Sequence, residues 1–275
     1  MSPINLLKRP YRLYFRALNW RWFSVRIRSR GCCLLHAANT FEKPIFVSGC
    51  QRSGTTLVTS LISASPDIAN SHRGRDEELA GAYVLCGETN PGRPGRYCFQ
   101  TTYLNECYLE YLSIDGHFNL IWVLRNPESV IYSMVYNWAR FPLNELFLGC
   151  GKPFMTEEDA NAFRRNGLLA LSPIKRASYA FIGKAQQFLF LSERLPTQMI
   201  TPIEYESLVS SPAETVTALC RHLRLSDRDI GSAASIDKEN LGKAINLCKP
   251  NRETIRRLCA PVYSECLERS RSWSI

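Results

Sequence analysis

The sequence lacks any uninterrupted apolar run near the ~18 residues that suggest a membrane-spanning helix. Its eleven cysteines include no Cys-x-x-Cys pair, and its four histidines (His36, His72, His117, His222) stand at no zinc-like spacing from them. Zinc ribbons and thioredoxin-like redox motifs are therefore excluded. An odd number of cysteines without such a pattern reads as reduced thiols packing as small hydrophobes, which predicts a cytoplasmic location. The apolar run 31–38 is short and follows a basic region far longer than a secretory leader carries, so no such leader is expected. Acids are missing from the segment before Cys32, which holds Lys8, Arg9, Arg12, Arg16, Arg21, Arg26, Arg28 and Arg30. Those eight leave 26 cations against 25 acids in the rest of the chain. The body is thus close to neutral despite a pI near 9.1, and no nucleic-acid partner is expected for it.

What is present is ordinary globular material. Hydrophobic residues make up 45% and charged residues 21% of 275 residues. That composition excludes a disordered chain, a collagen-like fibre and a simple coiled coil. The length suits one large domain with an appendage. We read residues 1–31 as a basic aromatic arm, 31–43 as the one linker, and 44–275 as a single α/β domain. In the arm, Tyr11, Tyr14, Phe15, Trp20, Trp22 and Phe23 interleave with the arginines. Such a stretch suits a membrane interface, with rings among headgroups and arginines near anionic lipid. Docking on the body with arginine stems snorkelling is the alternative, as is a nucleic-acid-contacting arm.

The most informative segment runs from Lys43 to Pro66. Ile45, Phe46 and Val47 form an apolar run that reads as a buried central strand. A glycine-rich turn follows, and then Leu57, Leu61 and Ile62 recur at helical spacing before Pro66. Strand, glycine turn and helix together aim backbone N–H groups and a helix N-terminus at a phosphate. Gly49-x-x-x-x-Gly54-Thr55-Thr56 has the spacing of a P-loop, but Thr55 stands where a nucleoside triphosphatase places its lysine. The cation sits inside the loop, at Arg52, where a guanidinium can fork onto two anionic oxygens. A plain glycine turn with a surface arginine is the bland alternative.

A second anchor lies at 119–138. Leu120–Leu124 reads as another buried strand, and Asn126 can cap a helix that begins at Pro127. Arg125 falls where strand becomes helix, at the C-terminal edge of a parallel sheet, where open α/β sheets bind ligands. Ser133 lies two turns into the helix, facing back toward that edge. A magnesium-using nucleotidase would place an acid at such a strand end.

Together these segments resemble the sulfotransferase family, which uses 3′-phosphoadenosine 5′-phosphosulfate (PAPS) as donor. Gln51-Arg52-Ser53-Gly54-Thr55-Thr56-Leu57 is similar to the family's 5′-phosphosulfate loop. Val123-Leu124-Arg125-Asn126-Pro127 through Ser133 is similar to its 3′-phosphate motif. Ile203-Glu204-Tyr205-Glu206-Ser207-Leu208 resembles the Tyr-Glu-x-Leu segment after a late strand. The match spans residues 44–225 and favours the broad bacterial and carbohydrate-type branch. It implies a three-layer α/β/α fold with a central parallel sheet, like that of P-loop nucleoside triphosphate hydrolases. It also implies that Gln51, Arg52, Ser53, Gly54, Thr55 and Thr56 hold the 5′-phosphosulfate, that Arg125 and Ser133 hold the 3′-phosphate, and that Tyr205 lies near the adenine. The chain departs from the pattern at Asn126, where an aspartate is common, and at Leu57, where some relatives carry an aromatic. It also has no Arg-Lys-Gly segment near its C-terminus.

The resemblance further implies in-line attack by an acceptor hydroxyl or amine, departure of the bisphosphate nucleotide (PAP), no metal, and a glutamate or histidine as general base. The region beyond the loop helix offers Glu78, Glu77 and His72, in that order, or else only a solvated helix start. Glu88 is a weaker candidate, and His117 reads as structural. The aromatic basic arm suggests a glycan or lipid-linked acceptor, with a small hydroxylated metabolite equally open. It also leaves the chain either cytoplasmic or peripheral at a membrane surface. Elsewhere, 100–112 reads as a helix with Tyr103, Leu104, Tyr108, Leu109 and Leu112 on its inner face. Residues 140–172 read as a loop-rich insertion, 174–194 and 213–224 as helices, 199–203 as a strand, and 252–269 as a helix kinked or broken at Pro261. Two other readings compete: a kinase with a degenerate P-loop, disfavoured by Thr55 and Arg125, and a non-catalytic nucleotide-binding relative.

Overall fold

The computed structural model describes residues 20, 22–23, 25–26, 29, 33–69, 77–92, 94–226 and 242–271. The apolar run after Pro44 becomes β1 (Ile45–Gly49), buried along its whole length. β2 (Cys98–Gln100), β3 (Asn119–Leu124) and β4 (Ile200–Glu204) complete a four-stranded sheet, all parallel, in the order β2-β1-β3-β4. The helices are α1 (Thr55–Ser63), α2 (Glu77–Leu85), α3 (Pro127–Tyr136), α4 (Arg140–Leu146), α5 (Glu157–Asn166), α6 (Pro173–Arg194), α7 (Tyr205–Ser210), α8 (Pro212–Leu223) and α9 (Lys249–Arg271).

Strand side chains alternate between two cores, which explains why β1 and β3 read as continuous apolar runs. Phe46, Leu120, Trp122 and Leu124 face one core, with Met134, Phe147, Tyr179, Phe188 and Cys259. Ile45, Val47, Ile121 and Val123 face the other, with Val58, Leu61, Leu208 and Leu219. So α3, α6 and α9 cover one face while α1, α7 and α8 cover the other. This is the three-layer α/β/α arrangement predicted from the sequence. Each fully buried side chain of this size contributes about 1.5–3 kcal/mol to holding the layers together.

Three expectations are corrected. Residues 140–172 are mostly helical rather than loop-rich, comprising α4, a π-turn at Phe147–Gly151, two short 3₁₀ turns and α5. Pro142 lies in the first turn of α4 and Pro153 opens a 3₁₀ turn, positions at which a proline loses no helical hydrogen bond. Of the kink or break expected at Pro261, the break does not occur: α9 runs through it to Arg271. Cys259, Val262 and Cys266 are buried on α9, and that packing outweighs the ~3 kcal/mol that an internal proline costs. The 100–112 helix is instead β2 followed by 3₁₀ turns over Thr102–Ser113, broken at Asn105, whose φ is 35°. The tighter winding turns Leu109 and Leu112 outward and buries Tyr111.

The chain before β1 packs on the body from residue 33 onward, although 31–43 reads as a linker. Leu34, Leu35 and Ala38 are buried, and the Leu35 amide donates to Glu110 at 2.7 Å. Of the arm, Phe23 is buried in edge-to-face contact with Trp20, Tyr83 and Tyr103. Arg26 pairs with Glu88, while Trp22 is 70% exposed. No described helix is long and apolar enough to cross a membrane.

Candidate active site

Strand order decides where the site lies. From β1 the chain moves outward to β2, then returns across β1 to β3 and onward to β4. The order therefore reverses between β1 and β3, and their C-terminal tips flank the crevice where such sheets bind ligands. The register brings three sequence motifs to one level. Gly49 pairs with Val123 and Leu124 pairs with Glu204, so the next residues out, Arg125 and Tyr205, stand side by side. The Arg125 guanidinium carbon lies 4.0 Å from the centre of the Tyr205 ring, a cation–π distance.

The loop after β1 is tightly wound. Ser53 N donates to Cys50 O at 3.0 Å, and Arg52 takes a φ of 73°, an unusual conformation for a residue with a Cβ. Gly54 caps α1 in a left-handed conformation, with φ 102°. A Cβ there would come within 2.4 Å of the Tyr205 ring, so only glycine lets the third motif close over the first. The Arg52 Nε donates to Ser133 Oγ at 3.0 Å, and an Arg125 terminal nitrogen donates to Arg52 O at 3.2 Å. Arg52, Arg125, Ser133, Gly54 and Tyr205 thus form one cluster, with Arg52 exposed and Arg125 only 8% exposed. Burial pushes the Arg125 guanidinium below its usual pKa, and the neighbouring Tyr205 and Glu206 partly restore it. Ser53 Oγ is buried with no hydrogen-bond partner among the described residues, at the N-terminus of α1. An unpaired hydroxyl beside a helix N-terminus and a guanidinium suits an anionic oxygen.

Gln51 turns inward instead. Its Nε2 donates to Thr102 O at 2.9 Å and to Asn105 Oδ1 at 3.1 Å. Thr55 is buried, and its Oγ1 accepts from Gln100 Nε2 at 3.2 Å, while Thr56 is exposed. The same Gln100 nitrogen donates to Glu78 Oε2 at 3.2 Å, and Thr102 Oγ1 donates to Glu78 Oε1. Glu78 therefore stands at the C-terminal edge of β2, two hydrogen bonds from the loop. Glu77 lies on α2 with its side chain outside what is described, and His72 lies outside the described residues altogether. Glu88 is engaged by Arg26. His117 precedes β3 and so sits at the opposite sheet edge.

Gln100, Thr102 and Asn105 did not emerge from the sequence, because a three-residue strand shows no periodicity. Nor did Lys184, which is 1% exposed on α6 with its ammonium donating to Thr102 O at 2.8 Å. Among the described residues, no three of His, Cys, Asp and Glu gather as a metal site would require.

Loop, sheet order and layers define a P-loop-like α/β protein whose loop lacks the P-loop lysine. No protein-family model matches the sequence, and no curated protein matches it significantly. Solved structures do. The sulfotransferase domain from the curacin biosynthetic pathway matches at a TM-score of 0.54 and 14% identity, over 78% of this chain and 95% of that one. A sulfotransferase from Mycobacterium avium matches at 0.51 and 13% identity, over 94% of this chain and 84% of that one. The chain has the sulfotransferase fold.

Proposed function

We propose that the chain is a PAPS-dependent sulfotransferase acting on a hydroxyl or amine of a carbohydrate, lipid-linked or small-molecule acceptor. The observation that carries this reading is the Arg52–Ser133–Arg125 cluster at the switch point, beside a loop without lysine. Two guanidiniums from neighbouring strand tips suit a nucleotide whose 5′ and 3′ anions are separate. Arg52, Ser53 and the first amides of α1 hold the 5′-phosphosulfate. Arg125, stacked on Tyr205, takes the 3′-phosphate.

In the reaction, the acceptor oxygen bonds to sulfur as the bond from sulfur to the phosphate oxygen breaks, and PAP leaves. Arg52 neutralises the charge that builds on the departing phosphate. Glu78 takes the acceptor proton, a role worth ~10²–10⁴-fold in rate. The scheme assigns no step to a metal. Trp22 and Val25, exposed within the arginine-rich arm, support a site of action at a membrane surface. Weaker sedimentation of Trp22→Ser protein with anionic vesicles tests that placement.

Calorimetry tests the main reading. PAP should bind without magnesium and ATP–magnesium much more weakly; the reverse order favours the degenerate kinase. Turnover of PAPS against a panel of glycans, lipid-linked sugars and small alcohols separates an enzyme from a non-catalytic binder.

A further inference from the structure

Lys184 is the least expected residue in the core. Its side chain projects from α6 into the layer beneath the site, 1% exposed. Burying an ammonium is costly unless its protons and charge are answered. Among the described residues its one hydrogen bond goes to the Thr102 carbonyl, at 2.8 Å. One turn further along α6, Gln187 donates to the Asn105 carbonyl at 2.7 Å. Helix α6 therefore grips both ends of the segment 102–105, whose last residue has the φ of 35°. That conformation persists only where its surroundings hold it. The gripped segment carries the Thr102 hydroxyl, which donates to Glu78.

We infer that Lys184 is a positioning residue for sulfuryl transfer, fixing Thr102 so that its hydroxyl holds Glu78 against the anion loop. The inference rests on the function proposed above, in which Glu78 accepts the acceptor proton. A neutral apolar side chain of the same length would fill the space at far lower cost, so packing does not explain a lysine here. Lys184 is faced by Cys50 from the loop, Cys150 from the π-turn, Glu106 from the 3₁₀ turns and Glu78 from α2; burial lowers its pKa, and these four groups oppose that.

The test compares kcat and PAP affinity in wild type, Lys184→Met, Glu78→Gln and the double variant. Lys184→Met should lower kcat about tenfold to a hundredfold, no more than the ~10²–10⁴-fold that the base itself supplies. PAP affinity should stay within about threefold, because nucleotide contacts are untouched. In the Glu78→Gln background the Lys184→Met loss should vanish, since both act through one group. An equal fractional loss in both backgrounds, or a PAP affinity that falls in step with kcat, overturns the inference. If Lys184→Met loses its cooperative melt, Thr102→Val carries the test of the relay: it cuts the link to Glu78 while leaving the lysine's carbonyl partner. Thr102→Val with wild-type kcat overturns the inference equally. A wild type that transfers nothing from PAPS fails the proposed function itself, whereas an active wild type with additive variants fails Lys184 alone.

Discussion

Replacing Gly54 with alanine probes how the third motif closes over the loop. Two costs are separable. The left-handed backbone at φ 102° penalises any Cβ by ~1–2 kcal/mol. The new methyl also meets two Tyr205 ring carbons at 2.4 Å, and relieving such an overlap costs ~1–3 kcal/mol. Gly54→Ala alone should therefore lose ~2–5 kcal/mol. In a Tyr205→Ala background only the backbone part remains, so the coupling between the two positions should be ~1–3 kcal/mol. At ~2–4 °C per kcal/mol for chains of about this size, thermal unfolding of all four proteins resolves it. Displacing the ring also costs Arg125 its stacking partner, worth ~0.5–2 kcal/mol, so PAP affinity should fall several-fold in Gly54→Ala. Strict additivity of the two substitutions in melting temperature would refute the contact between loop and third motif.

Arg52→Ala should abolish transfer while leaving the melt cooperative; near-normal turnover in an acceptor assay removes its role. Arg125→Ala should weaken PAP much more than adenosine 5′-monophosphate, and equal losses by calorimetry would show that Arg125 does not read the 3′-phosphate. Asp159 gives a pH test of the fold. Burial pushes its carboxyl up, but hydrogen bonds from Lys175 at 2.7 Å and Tyr179 at 2.6 Å outweigh that, and the net pKa is depressed. A depressed folded pKa stabilises fully above the unfolded carboxylate range, and that contribution is lost as pH falls through the folded value. Asp159→Asn should therefore destabilise at neutral pH and flatten the acid side of the stability curve. A variant curve parallel to wild type across pH 2–6 counts against the assignment.

How much was legible in the sequence follows from the range of the interactions. The β1–loop–α1 and β3–α3 units are local: apolar run, glycine or Asn-Pro turn, then helical spacing. Residues 45–63 and 119–136 folded much as they read. The third motif was legible only by resemblance, and its contact with Gly54 is a product of strand register that no local pattern carries. Strand β2 was too short to announce itself, which hid Gln100 and Thr102 and so the hydrogen bonds that bring Glu78 to the loop. Lys184 looked like any polar position on a long helix, because burial on α6 is decided by what packs against it. At Pro261 and in 140–172, turn-forming residues misled the reading: the prolines of 140–172 occupied first turns, and tertiary packing overrode the one inside α9.

The ladder between β1, β3 and β4 has a consequence for altering this protein. Every rung sets the relative height of two strand tips, and one residue added inside a strand would slide its tip by about 3.3 Å and flip its remaining side chains to the wrong core. The connectors carry no such constraint. Grafts and length changes belong in exposed turns between elements, such as the one around Leu169, which is 96% exposed, where they leave the gap between the two arginines unchanged.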